Sequence, residues 1–73
     1  MKSMAFVLVN TDLDFDPSEK IRQIPEVKEL YGLYGVYDII VMLEADSTDK
    51  LKDSVNKLRR IEHIRSTLTM IVV

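Results

Sequence analysis

The chain has 73 residues, 10 Lys and Arg against 12 Asp and Glu, no cysteine and a single histidine. A domain of that length buries only about 60% of its unfolded surface, and without cysteines neither disulfides nor cysteine–zinc sites can reinforce it. A formal charge of −2 argues against direct nucleic-acid contact, which needs clustered cations to displace counterions. No run approaches the ~18 apolar residues of a membrane span.

The leading Met1-Lys2-Ser3-Met4 runs straight into Ala5-Phe6-Val7-Leu8-Val9, too short for a signal segment and better read as a strand. A cytoplasmic globular chain is therefore expected, with residues 1–73 forming one domain. The first strand covers Met4 to Asn10, and Thr11 to Asp16 is a loop with three acids. Asp16-Pro17-Ser18-Glu19 then reads as a helix start: Asp16 can accept an orphan N–H, Pro17 suits the first helical position, and Glu19 completes a capping-box spacing. This helix must be short, because Pro25 disfavours helical geometry at Ile24.

A second strand is expected over Val27 to Tyr34, with Gly35 in the turn, and a third over Tyr37 to Ala45. Asp46 and Ser47 are candidate caps for a second helix, Thr48 to Arg60, whose Leu51, Val55, Leu58 and Ile61 recur at helical spacing. The last strand runs from Ile64 to Val73. Ile24-Pro25-Glu26-Val27-Lys28 faintly echoes Ile61-Glu62-His63-Ile64-Arg65, both at a helix exit into a strand.

The order βαββαβ predicts an α+β, ferredoxin-like fold: a four-stranded antiparallel sheet with two helices on one face. That leaves the other sheet face bare. Ile39 through Leu43 and Met70 through Val73 are apolar at every position, whereas a solvated face alternates with polar residues. The chain has no spare segment to cover it, so a second copy packed sheet to sheet is expected.

Chemical motifs are few. Asp12, Asp14 and Asp16 open like a calcium loop, but Pro17 stands where glycine is needed and Gln23 where a bidentate Glu is needed, so no metal site is expected. Gly32-Leu33-Tyr34-Gly35 lacks the Gly-Lys-Ser/Thr ending of a phosphate loop and reads as hairpin punctuation. His63 reads as a surface or helix-end histidine. Five serines and one histidine form no spacing that suggests a triad, and Asp46 beside Glu44 is explained by capping. Neither catalysis nor a cofactor is expected. Asp38 is the more informative residue: a carboxylate at the mouth of the most apolar segment, either meeting turn amides or awaiting a cation. Ser66, Thr67 and Thr69 are expected to bring hydroxyls opposite it.

Pro25-Glu26-Val27-Lys28, Gly35-Val36-Tyr37-Asp38-Ile39-Ile40 and Ser66-Thr67-Leu68-Thr69-Met70-Ile71 resemble the effector (RAM) domain of the leucine-responsive/asparagine-regulator (Lrp/AsnC) family of transcription regulators, over nearly the whole chain. The resemblance implies a ferredoxin-like domain that dimerises through its sheets as a dimeric α+β barrel. Such homodimers assemble further into octamers or decamers and bind an amino-acid effector at the dimer–dimer interface. Carried over by position, the pocket would involve Tyr31, Gly35, Tyr37 and Asp38, with Thr48, Thr69, Met70 and Ile71 completing it. Asp38 would take the ligand ammonium, turn amides and Thr hydroxyls its carboxylate, and Met70 and Ile71 its side chain. Full-length members carry a helix-turn-helix domain for which this chain has no room. It is therefore expected to act as a stand-alone module, without DNA contact, that also assembles with full-length regulators. Two other classes share the element order: a small dimeric α+β-barrel enzyme of monooxygenase or isomerase type, and a ligand-free structural oligomerisation unit. An ACT-type regulatory domain differs mainly in how its sheets and subunits join.

Overall fold

The structure is a computed structural model and describes residues 2–73. It contains β1 (Ser3–Thr11), α1 (Ser18–Arg22), β2 (Val27–Gly32), β3 (Ile39–Ala45), α2 (Thr48–Arg59) and β4 (Ile64–Ile71). The sheet order is β2-β3-β1-β4 with every pair antiparallel, the ferredoxin-like arrangement expected from the element order.

Helix α1 stops after five residues, ahead of Pro25. It begins one position later than expected, with Pro17 rather than Asp16 preceding it. Asp16 Oδ1 nevertheless accepts both the Ser18 N–H and the Ser18 hydroxyl, so the anticipated acceptor is in place. No bond completes the capping box from Glu19 among the described residues. Of the two candidate caps of α2, Ser47 is used: its Oγ accepts the Lys50 N–H at 3.2 Å. Asp49 in the first turn and Lys57 and Arg59 in the last complement the helix dipole. Ile61 lies beyond the helix end and packs on the core from the following turn.

Three strand ends fall short of their expected limits. The Leu33 N–H donates to the Asp38 carbonyl at 2.8 Å and closes the β2–β3 hairpin, so Tyr34 and Tyr37 lie in its loop. Gly35 has φ +155°, which breaks the extended run where a side chain would be strained. At the other end β4 stops at Ile71, opposite Ala5, and one last bond joins the Val72 N–H to the Met4 carbonyl at 2.9 Å. The echo between the two halves has a structural counterpart. Each helix leaves through a matching turn, closed by Val27 N–H to Ile24 C=O (3.1 Å) and by Ile64 N–H to Ile61 C=O (3.4 Å).

Alternation in the strands divides the sheet into two unlike faces. Ala5, Val7 and Val9 of β1 and Ile39, Val41, Leu43 and Ala45 of β3 point to the helices, where Ile21, Ile24, Leu51, Val55 and Leu58 complete the buried core. The opposite face carries two rows read across all four strands. Leu68, Leu8, Ile40 and Tyr31 form one, and Met70, Phe6, Met42 and Glu29 the other. Seven of these eight are apolar or aromatic, and no element among the described residues covers them. Polar groups lie at both ends of this face, with Asn10 and Ser66 at one and the Lys2–Glu44 ion pair (3.3 Å) at the other.

Candidate functional site

Asp38 sits at the end of the sheet, just ahead of β3. Its N–H donates to the Val9 carbonyl at 3.0 Å, which extends the β1–β3 pairing by one step and fixes its backbone. Its Oδ2 then accepts the Thr11 N–H at 2.9 Å and the Thr11 hydroxyl at 3.3 Å. The pairing of β1 with β4 slips between Asn10 and Thr11, and an irregularity at a strand end commonly re-aims a group in this way. No donor is paired with Oδ1 among the described residues. The hydroxyl beside Asp38 thus comes from Thr11, not from Ser66, Thr67 or Thr69. β1 lies between β3 and β4 in the sheet, so the last strand cannot face Asp38 directly.

An open cleft of 620 Å³ lies around this carboxylate, lined by residues 10–16, Val36, Asp38 and Arg65. Its wall is the acidic loop between β1 and α1, and that loop is well anchored. The Asp12 N–H donates to the His63 carbonyl at 2.8 Å, and the Phe15 N–H donates to the Asp12 carbonyl at 3.2 Å. The Phe15 ring stacks on the His63 ring with centroids 3.5 Å apart and planes 10° from parallel, while His63 Nδ1 lies 3.4 Å from Asp12 Oδ2. Asp14 and His63 both adopt left-handed backbone, φ 69° and 70°, at the two turns this clasp joins. His63, expected as a surface or helix-end histidine, thus holds the loop against the α2–β4 turn. The two Ser18 hydrogen bonds hold the Asp16 carboxyl below its ordinary value.

The other expected site residues are dispersed within one copy. Gly35 and Tyr37 lie in the hairpin loop beside Asp38. Tyr31 and Met70 are on the open sheet face; Tyr31 is 57% exposed and its hydroxyl donates to Glu29 at 2.8 Å, which raises the phenol above its ordinary range. Thr69 and Ile71 point the other way, beside Leu51 and Val55 of α2, in a 250 Å³ groove. Three successive strand residues cannot share a face, so Met70 is parted from both neighbours. Thr48 is at the far end of the sheet, its hydroxyl 3.2 Å from that of Ser3. Of the eight, only Asp38 lines the cleft of a single copy; Gly35 and Tyr37 are its neighbours along the hairpin loop, and the other five lie elsewhere.

Thr11 and Arg65 were not singled out from the sequence. The signal for Thr11 was available, because a βαββαβ sheet pairs the end of the first strand with the start of the third. A separate polar clip lies on the helix side: the buried Ser54 Oγ donates to Glu26 Oε1 at 2.6 Å and holds that carboxyl below its ordinary value. It ties α2 to the turn ahead of β2.

Comparison with known proteins gives these features a context. The family described as "Lrp/AsnC ligand binding domain" matches residues 4–73. FFRP-DM1, solved by crystallography, is 38% identical with a TM-score of 0.90, over 97% of this chain and 99% of that one. The hypothetical protein PHS023 from Pyrococcus horikoshii is also 38% identical, with a TM-score of 0.88, over 97% of this chain and 89% of that one. AsnC of E. coli is 32% identical with a TM-score of 0.83, and there 97% of this chain covers 50% of a longer one. The regulator NMB0573 of Neisseria meningitidis, solved as a complex with L-Met, shares the fold at 20% identity and a TM-score of 0.82. Among the curated proteins no match is found. No helix among the described residues is long and apolar enough to cross a membrane. With 70 consecutive positions matched and relatives above 30% identity over nearly its whole length, the chain belongs to the Lrp/AsnC ligand-binding domain family.

Proposed function

We propose that the chain is a cytoplasmic amino-acid-sensing and oligomerisation module. Residues 1–73 act as one effector domain that influences transcription through assembly with regulators, without touching DNA. One observation carries the reading: Asp38, in a chain of a ligand-binding family, is fixed at a cleft by Thr11 through Oδ2 alone. Oδ1 remains available for an ammonium group, and a charge-assisted bond there would be among the stronger contacts a small ligand could make.

The open sheet face supports the assembly half of the proposal. Two apolar rows with polar ends have the anatomy of a protein–protein interface, an apolar core inside a polar rim. A second copy packed sheet to sheet satisfies it and gives the dimeric α+β barrel. Dimers would then meet at the cleft end, where Leu13 and Val36 are each 85% exposed, and build octamers or decamers. Under this arrangement Tyr31, Thr48, Thr69, Met70 and Ile71, scattered in one copy, reach the effector from neighbouring copies. Effector binding shifts the assembly because the ligand favours one oligomeric state over another.

Calorimetry with the common amino acids, on the wild type and on Asp38→Ala, tests the reading, paired with light scattering with and without ligand. Binding by the wild type that Asp38→Ala abolishes, with a ligand-dependent change in mass, is expected. A constant octamer indifferent to every amino acid would establish the ligand-free structural unit instead. Turnover inside the dimer would establish the barrel enzyme, a reading the open face disfavours: its two rows carry only Tyr31 and Glu29 as titratable groups, and His63 is engaged by Phe15 and Asp12 elsewhere.

A further inference from the structure

We infer that the Asp38 cleft selects a basic amino acid, a zwitterion with a second cationic group on its side chain, over neutral and acidic ones. The inference rests on the proposed sensing function and adds the chemical class of the effector.

The lining of the cleft is unbalanced. Asp12, Asp14, Asp16 and Asp38 face one cation, Arg65. The carboxylates are hydrogen-bonded mainly by neutral donors: Thr11 binds Asp38 and Ser18 binds Asp16, while Asp12 meets His63, Arg22 lies near enough to Asp16 to act on its charge, and Asp14 has no ion-pair partner among the described residues. Such bonds position a carboxylate without neutralising it. Asp16 is further kept ionised by its two bonds from Ser18. Arg65 forms no ion pair among the described residues, so its guanidinium is available for a ligand carboxylate, to which its fork geometry is suited. With Arg65 for the carboxylate and Asp38 for the α-ammonium, the Asp12–Asp16 loop keeps an excess of negative charge facing the same space, centred on Asp14. A ligand that ends in a second cation uses that charge, and an acidic ligand is repelled by it. The stem of a basic side chain also fits the apolar part of the lining, where Phe15, Leu13 and Val36 are exposed.

Assembly strengthens the preference. A copy that docks on the exposed Leu13 and Val36 takes the neighbouring carboxylates out of water, which is costly while they lack a partner. A dicationic ligand supplies partners, so it would promote the contact that a neutral amino acid leaves opposed.

Calorimetry on the full chain with L-lysine, L-arginine, L-leucine, L-glutamate, cadaverine and calcium chloride separates the outcomes. L-lysine and L-arginine are expected to bind at least tenfold more tightly than L-leucine, and more tightly than cadaverine, which offers Arg65 no carboxylate. Asp14→Asn preserves the left-handed backbone, since Asn tolerates φ near 69°. It is expected to weaken L-lysine about fivefold, the scale of one partly exposed ion pair, and to leave L-leucine unchanged. Equal or tighter binding of L-leucine or L-glutamate overturns the inference and leaves the sensing function standing. So does tight calcium binding that competes with L-lysine, which would make the loop a metal site. Binding of no amino acid at all removes the sensing function itself.

Discussion

Replacing Leu8 by Glu should convert the assembly to folded monomers. Leu8 lies in the inner strand β1, paired with Ile40 on one side and Leu68 on the other, at the middle of the uncovered face. The exposed parts of the apolar side chains there amount to roughly 450 Å² per copy, so pairing two copies removes roughly 900 Å² from water and contributes about 20 kcal/mol in gross terms. Lost translational and rotational freedom offsets about 4–15 kcal/mol of that, leaving roughly 5–16 kcal/mol in favour of pairing. A glutamate at position 8 places one unpaired carboxylate per copy in the closed face, and each costs about 3–5 kcal/mol. Because symmetry doubles the penalty, the dimer weakens by at least about 6 kcal/mol, roughly ten-thousand-fold in its dissociation constant.

The fold itself should persist, since Val7 and Val9, the neighbours on the core side, are unchanged and the new side chain points to water in a monomer. Size-exclusion chromatography with light scattering reads the mass, and far-ultraviolet circular dichroism reads the fold. Asp53→Asn on the outer side of α2 is the control and should leave the mass as it is. If Leu8→Glu keeps the wild-type mass, or if the wild type is a well-folded monomer in dilute solution, the argument that a second copy covers the sheet is refuted.

Other predictions follow from the core, the helix cap and the Ser54 clip. Leu51→Ala, at a fully buried position of α2, should cost about 3 kcal/mol in urea unfolding, provided both proteins are compared at equal concentration, because the proposed assembly would contribute to stability. Ser47→Ala removes the Lys50 N–H acceptor and should cost about 1 kcal/mol by the same measurement. The Glu26 carboxyl is depressed below 4.5, chiefly by the Ser54 hydroxyl. Its contribution is therefore fully present above pH 4.5 and is lost as pH falls through the lower folded value. Unfolding measured from pH 6 down to pH 3 should show a shallower acid loss in Ser54→Ala than in the wild type; parallel curves would contradict the assignment.

The fold was legible because it rests on local patterns that each act alone. Pro25 limits α1, Ser47 caps α2, and the apolar runs beginning at Ala5 and Ile39 read as strands with one face in the core. What the sequence left indistinct were the strand ends. Propensity continues through Tyr34 and Tyr37, but pairing does not, because the bond from Leu33 to Asp38 closes the hairpin before either is reached. Likewise β4 keeps its β-branched residues to Val73, yet the strand ends at Ile71, with a single further bond from the Val72 N–H to the Met4 carbonyl.

The site was legible only in part, and the reason is geometric. Asp38 stands out in sequence as a charge beside an apolar run, but its partner Thr11 is 27 positions away and is found only through the β1–β3 register. The acidic loop looks solvated in sequence because nothing in Asp12–Asp16 shows that His63, from the far end of α2, will stack on Phe15 and turn the loop into a wall. Thr69, Met70 and Ile71 form one contiguous motif in sequence, yet alternation sends Met70 to the open face and its neighbours toward α2. A motif divided in this way can serve one ligand only if different copies contribute different residues. Under the proposed assembly the sheet-to-sheet dimer would be a precondition for the site as well as a cover for the face: Leu8→Glu, which lies outside the cleft, should abolish effector binding together with assembly. Retention of full affinity by a Leu8→Glu monomer would place the entire site within one copy and reduce it to the residues around Asp38.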